Sequence, residues 1–271
     1  MSFFRVLSAE LSKLYRQKRL YIFLLIPILF IMFMCFIVSK SNGTLLGPEM
    51  SVQLLYNVMP LLGFFFVIMT ASYLIAEDYE SGTLKLSIMR PISRFTVFNA
   101  KVATLCIAIF TFYSLFFLAT LFIPDILYGR QETIVFTENY QISEFTGLTM
   151  SWQDTVIFIA KCYLLGSTGA FVLGTIMLFF STSVPKASVA ITLSVILFVI
   201  CYVWMAVFSN TDMIAYSPWT FMYIYVPYFS SILGRGEVWG GPAKILSLMG
   251  IYTLVFYVLS CTVFLRRNII R

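Results

Sequence analysis

Three carboxylates within four residues, Glu77-Asp78-Tyr79-Glu80, followed at once by Ser81-Gly82-Thr83, make the densest acidic group in the sequence. What they can do is bounded by what the chain lacks. It has no histidine, which removes the commonest metal ligand and general base, and with it any Ser/His/Asp arrangement. None of its 14 glycines opens a phosphate-cradling loop ending in Gly-Lys-Ser/Thr, and Gly241-Pro242-Ala243-Lys244 has the wrong spacing. The five cysteines fall singly in apolar stretches and read as reduced, structural thiols. Carboxylates without a metal, a base or a nucleotide loop point away from catalysis by this chain alone, and no metal site or bound cofactor is expected on it.

The elements that must position this group are apolar. With 60% hydrophobic and 11% charged residues, the chain lacks the polar surface of a soluble domain. Its apolar runs have the length of about 20 residues that a helix needs to cross the hydrocarbon core. The expected fold is an all-α integral membrane protein, one domain over residues 1–271, with six transmembrane helices at 20–39, 52–76, 100–123, 155–181, 187–208 and 243–265. No small-residue cleavage site follows the first apolar run, so it does not read as a removable signal. Residues 1–19 form an amphipathic interfacial helix, with Phe3, Phe4, Leu7, Leu11, Leu14 and Tyr15 on one face and Arg5, Ser12, Lys13 and Arg16 opposite.

Lys and Arg positions orient the spans. Arg5, Lys13, Arg16, Lys18, Arg19, Lys85, Arg90, Arg94, Lys101, Lys186, Arg266, Arg267 and Arg271 fall on one side, whereas the other side's loops are mostly acidic. Both termini are therefore expected in the cytoplasm of a plasma-membrane protein. The net charge of +6 serves orientation in the bilayer rather than nucleic-acid binding. An even span count makes residues 213–233, broken by Pro218 and Pro227, a re-entrant segment within an outer stretch at 209–242. The outer loop at 124–154 holds a short strand pair or a small helix; the pattern does not choose.

Inside the spans ionisable residues are rare. Lys161 lies near the outer end of span four, close enough to reach the interface. Gln53 and Asn57 in span two either line a pathway or bond to a neighbouring helix. Gly166, Ala170 and Gly174 recur every four residues, a small-residue stripe for close helix packing within the subunit or across a dimer. The cytoplasmic loop at 77–99 turns at residues 81–83. It then presents Leu84 and Ile88 one helical turn apart, stops at Arg90-Pro91, and offers Ser93 as a cap for the next helix. That pattern suits either a short helix docking in a partner's groove or a solvated loop with basic anchors.

These residues carry a resemblance. Acidic residues, then Gly82-Thr83-Leu84, a hydrophobic turn, Arg90-Pro91-Ile92-Ser93-Arg94 and the downstream Lys101 resemble the pattern of ABC-2 type permeases. The layout of interfacial helix, six spans and a re-entrant segment before the last is similar too. The resemblance implies a coupling helix in the 77–99 loop, contacting a cytoplasmic ABC ATPase that binds ATP and Mg. It also implies a unit of two permease subunits, identical or related, with two ATPase subunits. On that basis Glu77, Asp78, Glu80, Gly82 and Thr83 are the coupling residues, and Leu84 and Ile88 fill the partner's groove. Arg5, Lys13 and Arg16 are expected to pair with the acidic cluster and stiffen an inner gate. The function implied is ATP-driven export, with an amphipathic or antimicrobial peptide as the leading cargo. Hydrophobic drug, lipid or sodium export remains open, as does a sensor or scaffold subunit that transports nothing.

Overall fold

The computed structural model describes residues 3–41, 47–83, 93–129, 133–135, 149–208, 211–232 and 239–266. Among them, six helices are long and apolar enough to cross a membrane. They are α2 (Lys18–Ser41), α4 (Met59–Glu80), α5 (Arg94–Tyr128), α6 (Trp152–Ser183), α7 (Ala187–Val207) and α9 (Gly241–Arg266). Two shorter helices, α1 (Phe3–Tyr15) and α3 (Gly47–Asn57), precede α2 and α4 respectively. The protein is a multi-pass, all-α membrane protein.

Helix α6 is the centre. It packs against α4, α5, α7 and α9, and α4 and α6 bury most of their length, whereas α2, α7 and α9 leave most of theirs outward. The Leu, Ile, Val and Phe side chains exposed on those three helices face the hydrocarbon, which is as apolar as they are.

Span two differs from the expected 52–76. The helical pattern is interrupted at Val58, and α4 starts at Met59 with Pro60 in its first turn. Proline has no N–H to give to the preceding turn and is best placed where that donor would be unused. Gln53 and Asn57 therefore belong to α3, which runs beside α5 and α6 with Ser51 donating to the Thr120 carbonyl at 2.6 Å. Helix α5 is also longer than expected. Its 35 residues span about 52 Å at the usual rise, well beyond the hydrocarbon thickness, so the helix projects past the membrane core. Ser93 caps it, accepting from Thr96 N at 3.1 Å.

At the opposite end, β1 (Thr133–Val135) pairs antiparallel with β2 (Thr149–Ser151), with Ile134 opposite Met150. Strand β2 leads directly into α6, whose first turn is capped by Ser151 through Asp154 N at 3.2 Å. The stretch between α7 and α9 breaks into two 3₁₀ turns, Asp212–Tyr216 and Pro218–Tyr223, followed by the short helix α8 (Tyr225–Ile232). Trp219, Phe221 and Tyr225 are buried, and the Pro218–Tyr223 turn lies against α6.

The small-residue stripe receives that turn. A Cβ added at Gly169 would overlap the Phe221 carbonyl oxygen, and one at Gly166 would overlap the terminal methyl of Met59. At Gly174 a Cβ would meet Leu105 Cδ2 at 3.1 Å and Ile109 Cδ1 at 3.3 Å, and Ala170 is fully buried. The stripe is thus occupied within the subunit. Gly169, which the four-residue spacing passed over, makes the closest approach to backbone.

Candidate functional site

The acidic cluster ends α4, and the helices around it are held there by charge. Lys101 of α5 is fully buried, and its ammonium group spends all three protons on protein oxygens. It donates to Asp78 Oδ2 at 2.6 Å, to Glu10 Oε2 at 3.0 Å and to the Leu74 carbonyl at 3.0 Å. The other oxygen of Asp78 takes Lys13 of α1 and, at 3.1 Å, the Thr83 hydroxyl. Arg19, at the start of α2, pairs with Glu77 and lies over the Tyr73 ring, 4.2 Å from its centre. Gln17, between α1 and α2, donates to Glu77 at 3.4 Å.

Among the described residues the cluster thus joins Lys13, Arg19 and Lys101 to Glu10, Glu77 and Asp78, a formally balanced set contributed by four helices. Balance matters because Asp78 is almost as buried as Lys101, and a buried charge without its counter-charge is far costlier than an exposed one. Burial, together with the neighbouring Lys101 and Arg19, holds the Lys13 ammonium below its ordinary range despite the pull of Glu10 and Glu77.

Glu80 works in a different direction. Its carboxylate accepts from Ala187 N at 3.3 Å, the first amide of α7, whose cap residue Lys186 supplies no side-chain bond. A carboxylate there complements the positive end of that helix. Gly82 has φ of 71° directly after α4, the left-handed geometry that ends a helix cheaply only at glycine. Nearby, Ser181 of α6 donates to the Ser72 carbonyl at 2.8 Å and accepts from Ala76 N at 2.9 Å, pinning the last turns of α4 to α6.

The structure brings Lys13 to the acidic cluster, while Arg5 and Arg16 are exposed and form no ion pair among the described residues. Helix α1 meets α5 along one side. Val6, Glu10 and Leu14 face α5, Lys13 is half-buried, and Phe4 points outward. Leu84 and Ile88 lie outside the described residues. Asn57 is exposed and its amide is returned to its own helix, to the Gln53 carbonyl at 3.2 Å.

Glu10 and Arg19 are members of the network to which the sequence pattern gave no role in it, and Lys101, marked there only through the family resemblance, was not expected to meet Asp78 and Glu10. A signal for Lys101 existed: Val97, Lys101, Thr104 and Ala108 recur at helical spacing, and all four are buried.

A model of the family described as ABC-2 family transporter protein matches residues 6–201. The chain belongs to the ABC-2 transporter family. No curated protein matches it. The match runs from α1 into α7 and contains every residue of the charge network, so in this ABC-2 transporter the network lies inside the family region.

The two flanks of the network differ in how much they bear. Arg19 and Glu77 are each about a third exposed, where an ion pair contributes about 0–1 kcal/mol. Exchanging them, Arg19→Glu with Glu77→Arg, is expected to restore the melting temperature and any partner-stimulated activity lost on either single reversal. Melting curves of the two single variants and the exchange in the same detergent check this. An exchange no better than the worse single variant would mean that the pair is not an independent contact.

Proposed function

We propose that this ABC-2 transporter is the permease subunit of an ATP-driven exporter, working as a dimer with a separate cytoplasmic ABC ATPase. The observation that carries the reading is the buried Lys101–Asp78–Glu10 network at the root of residues 81–93. Force delivered to that connection by a partner enters α4 and α5 at residues locked to each other and to α1, so it would move these helices as one body. Glu80 extends the same lock to α7. In this role Glu77, Asp78, Glu80, Gly82 and Thr83 form the receiving end, and Leu84 and Ile88 seat in the ATPase. Lys13 with Lys101 fastens the inner gate.

Both termini are cytoplasmic in this reading, supported by the basic residues gathered at the end that carries the network. ATP and Mg belong to the partner. An amphipathic peptide is the favoured cargo, supported by 28 Phe and 13 Met in a chain with few intramembrane charges.

The test is co-purification of an ATPase with the tagged chain, comparing wild type with Gly82→Pro. Proline cannot adopt the φ of Gly82, yet a Cβ there meets nothing within 4 Å, so the bundle should survive while the connection is redirected. The expected result is a nucleotide-hydrolysing partner with wild type and at least a tenfold loss of it with the variant at an unchanged melting temperature. Recovery of no such partner in mild detergent would overturn the reading.

A further inference from the structure

Beside the charge network, α1, α2 and α4 line a cleft that is open on one side. Its walls change character along α4. Near Glu77 they carry Gln17 and Arg19, with Lys13 also in the lining; Met69, eight residues earlier on α4, lines it too, and Leu20 and Phe23 add apolar wall. That distance is about 12 Å of helix, the passage from a headgroup to the first acyl carbons. A soluble anion would leave the apolar half unused, and a purely apolar ligand would leave charged groups against hydrocarbon.

The sign of the headgroup follows from what is left unpaired. Glu10, Lys13, Arg19 and Glu77 neutralise one another through the network. Arg16 and Lys18, on either side of the lining residue Gln17, are exposed and form no ion pair among the described residues. The unpaired charge on the surface next to these lining residues is therefore positive.

We infer that this cleft is a binding site for an anionic glycerophospholipid of the adjoining leaflet. Its phosphate lies against Gln17 and Arg19 under the field of Arg16 and Lys18, and its upper chain lies along Leu20, Phe23 and Met69. The lipid would fill the space between α1 and α4 and hold the interfacial helix against the end of the bundle that carries the network. The inference needs only that the chain is embedded in a membrane, so it stands or falls apart from the choice of ATPase or cargo.

Native mass spectrometry of the purified chain provides the test. Palmitoyl-oleoyl phosphatidylglycerol is titrated against phosphatidylcholine with the same acyl chains, and glycerol 3-phosphate serves as the soluble competitor. The expected result is preferential retention of phosphatidylglycerol that millimolar glycerol 3-phosphate does not displace. Retention should fall about tenfold in Arg16→Gln/Lys18→Gln, whose changes are on exposed positions, and also in Met69→Trp, which fills the apolar half. Equal retention of the two lipids would overturn the proposal. So would displacement by glycerol 3-phosphate, or retention unchanged in the charge variant.

Discussion

Lys101→Met is expected to give the largest loss of stability of any single change at the charged end of this transporter. The side chain is fully buried, and its removal leaves Asp78 and Glu10 facing each other with only the half-exposed Lys13 to answer them. Breaking a buried pair by deleting one partner costs about 3–5 kcal/mol, mostly the penalty of the charge left behind. Lys101→Arg should not rescue it. A planar guanidinium with five donors does not fit a site that presents three oxygens to a compact ammonium. The double variant Lys101→Met/Asp78→Asn should recover a large part of the loss, because it removes the orphaned carboxylate together with its partner. Thermal melting of the four proteins in one detergent decides the matter. A single variant within about 1 kcal/mol of wild type would mean that water reaches Asp78 and that the network is not a dry lock. Under the proposed function, the double variant should fold yet respond poorly to an ATPase, since α4 and α5 would no longer be tied through Lys101. That separates the stability role from the coupling role.

How much of this could be read from residue order varies with the physical question. The number of spans was legible, because lipid forces apolar runs of a fixed length. The cap at Ser93 and the turn at Gly82 were legible too, because each follows from local geometry. The start of α4 was legible in principle, since Pro60 marks a first turn, but apolar residues on both sides hide a break from any measure of hydrophobicity. Which side of α1 meets the bundle was not legible. Its strongest amphipathic face contains Phe4, yet the bundle is met by Val6, Glu10 and Leu14, because a cation on another helix can bury Glu10. No property of α1 alone encodes Lys101. The small-residue stripe showed that something approaches α6 closely, but not that the visitor is the backbone of a segment some fifty residues later.

That visitor supports the second large prediction, at Gly169. The cost of adding a methyl group depends less on the room available than on what occupies it. At Gly166 the nearest atom is the end of the Met59 side chain, which can take another rotamer, so Gly166→Ala should cost little. At Gly250 nothing lies within 4 Å, and Gly250→Ala should be neutral or stabilising by about 1 kcal/mol from helix propensity. At Gly169 the obstacle is the carbonyl of Phe221 with the Met222 amide behind it, in a turn that is itself buried among aromatic side chains. Backbone cannot rotate aside, so the whole Pro218–Tyr223 turn must lift from α6. Overpacking of this kind costs about 1–3 kcal/mol even where side chains can yield, and Gly169→Ala should reach at least the upper end. The lifted turn should also become reachable. A cysteine placed at Thr220, which is buried in the native chain, is expected to react with an impermeant maleimide in the Gly169→Ala background and not in the wild-type or Gly166→Ala backgrounds. Equal labelling in all three would mean that the turn already leaves α6 in the native protein. The packing of this segment would then be a state that the transporter visits and not its resting architecture.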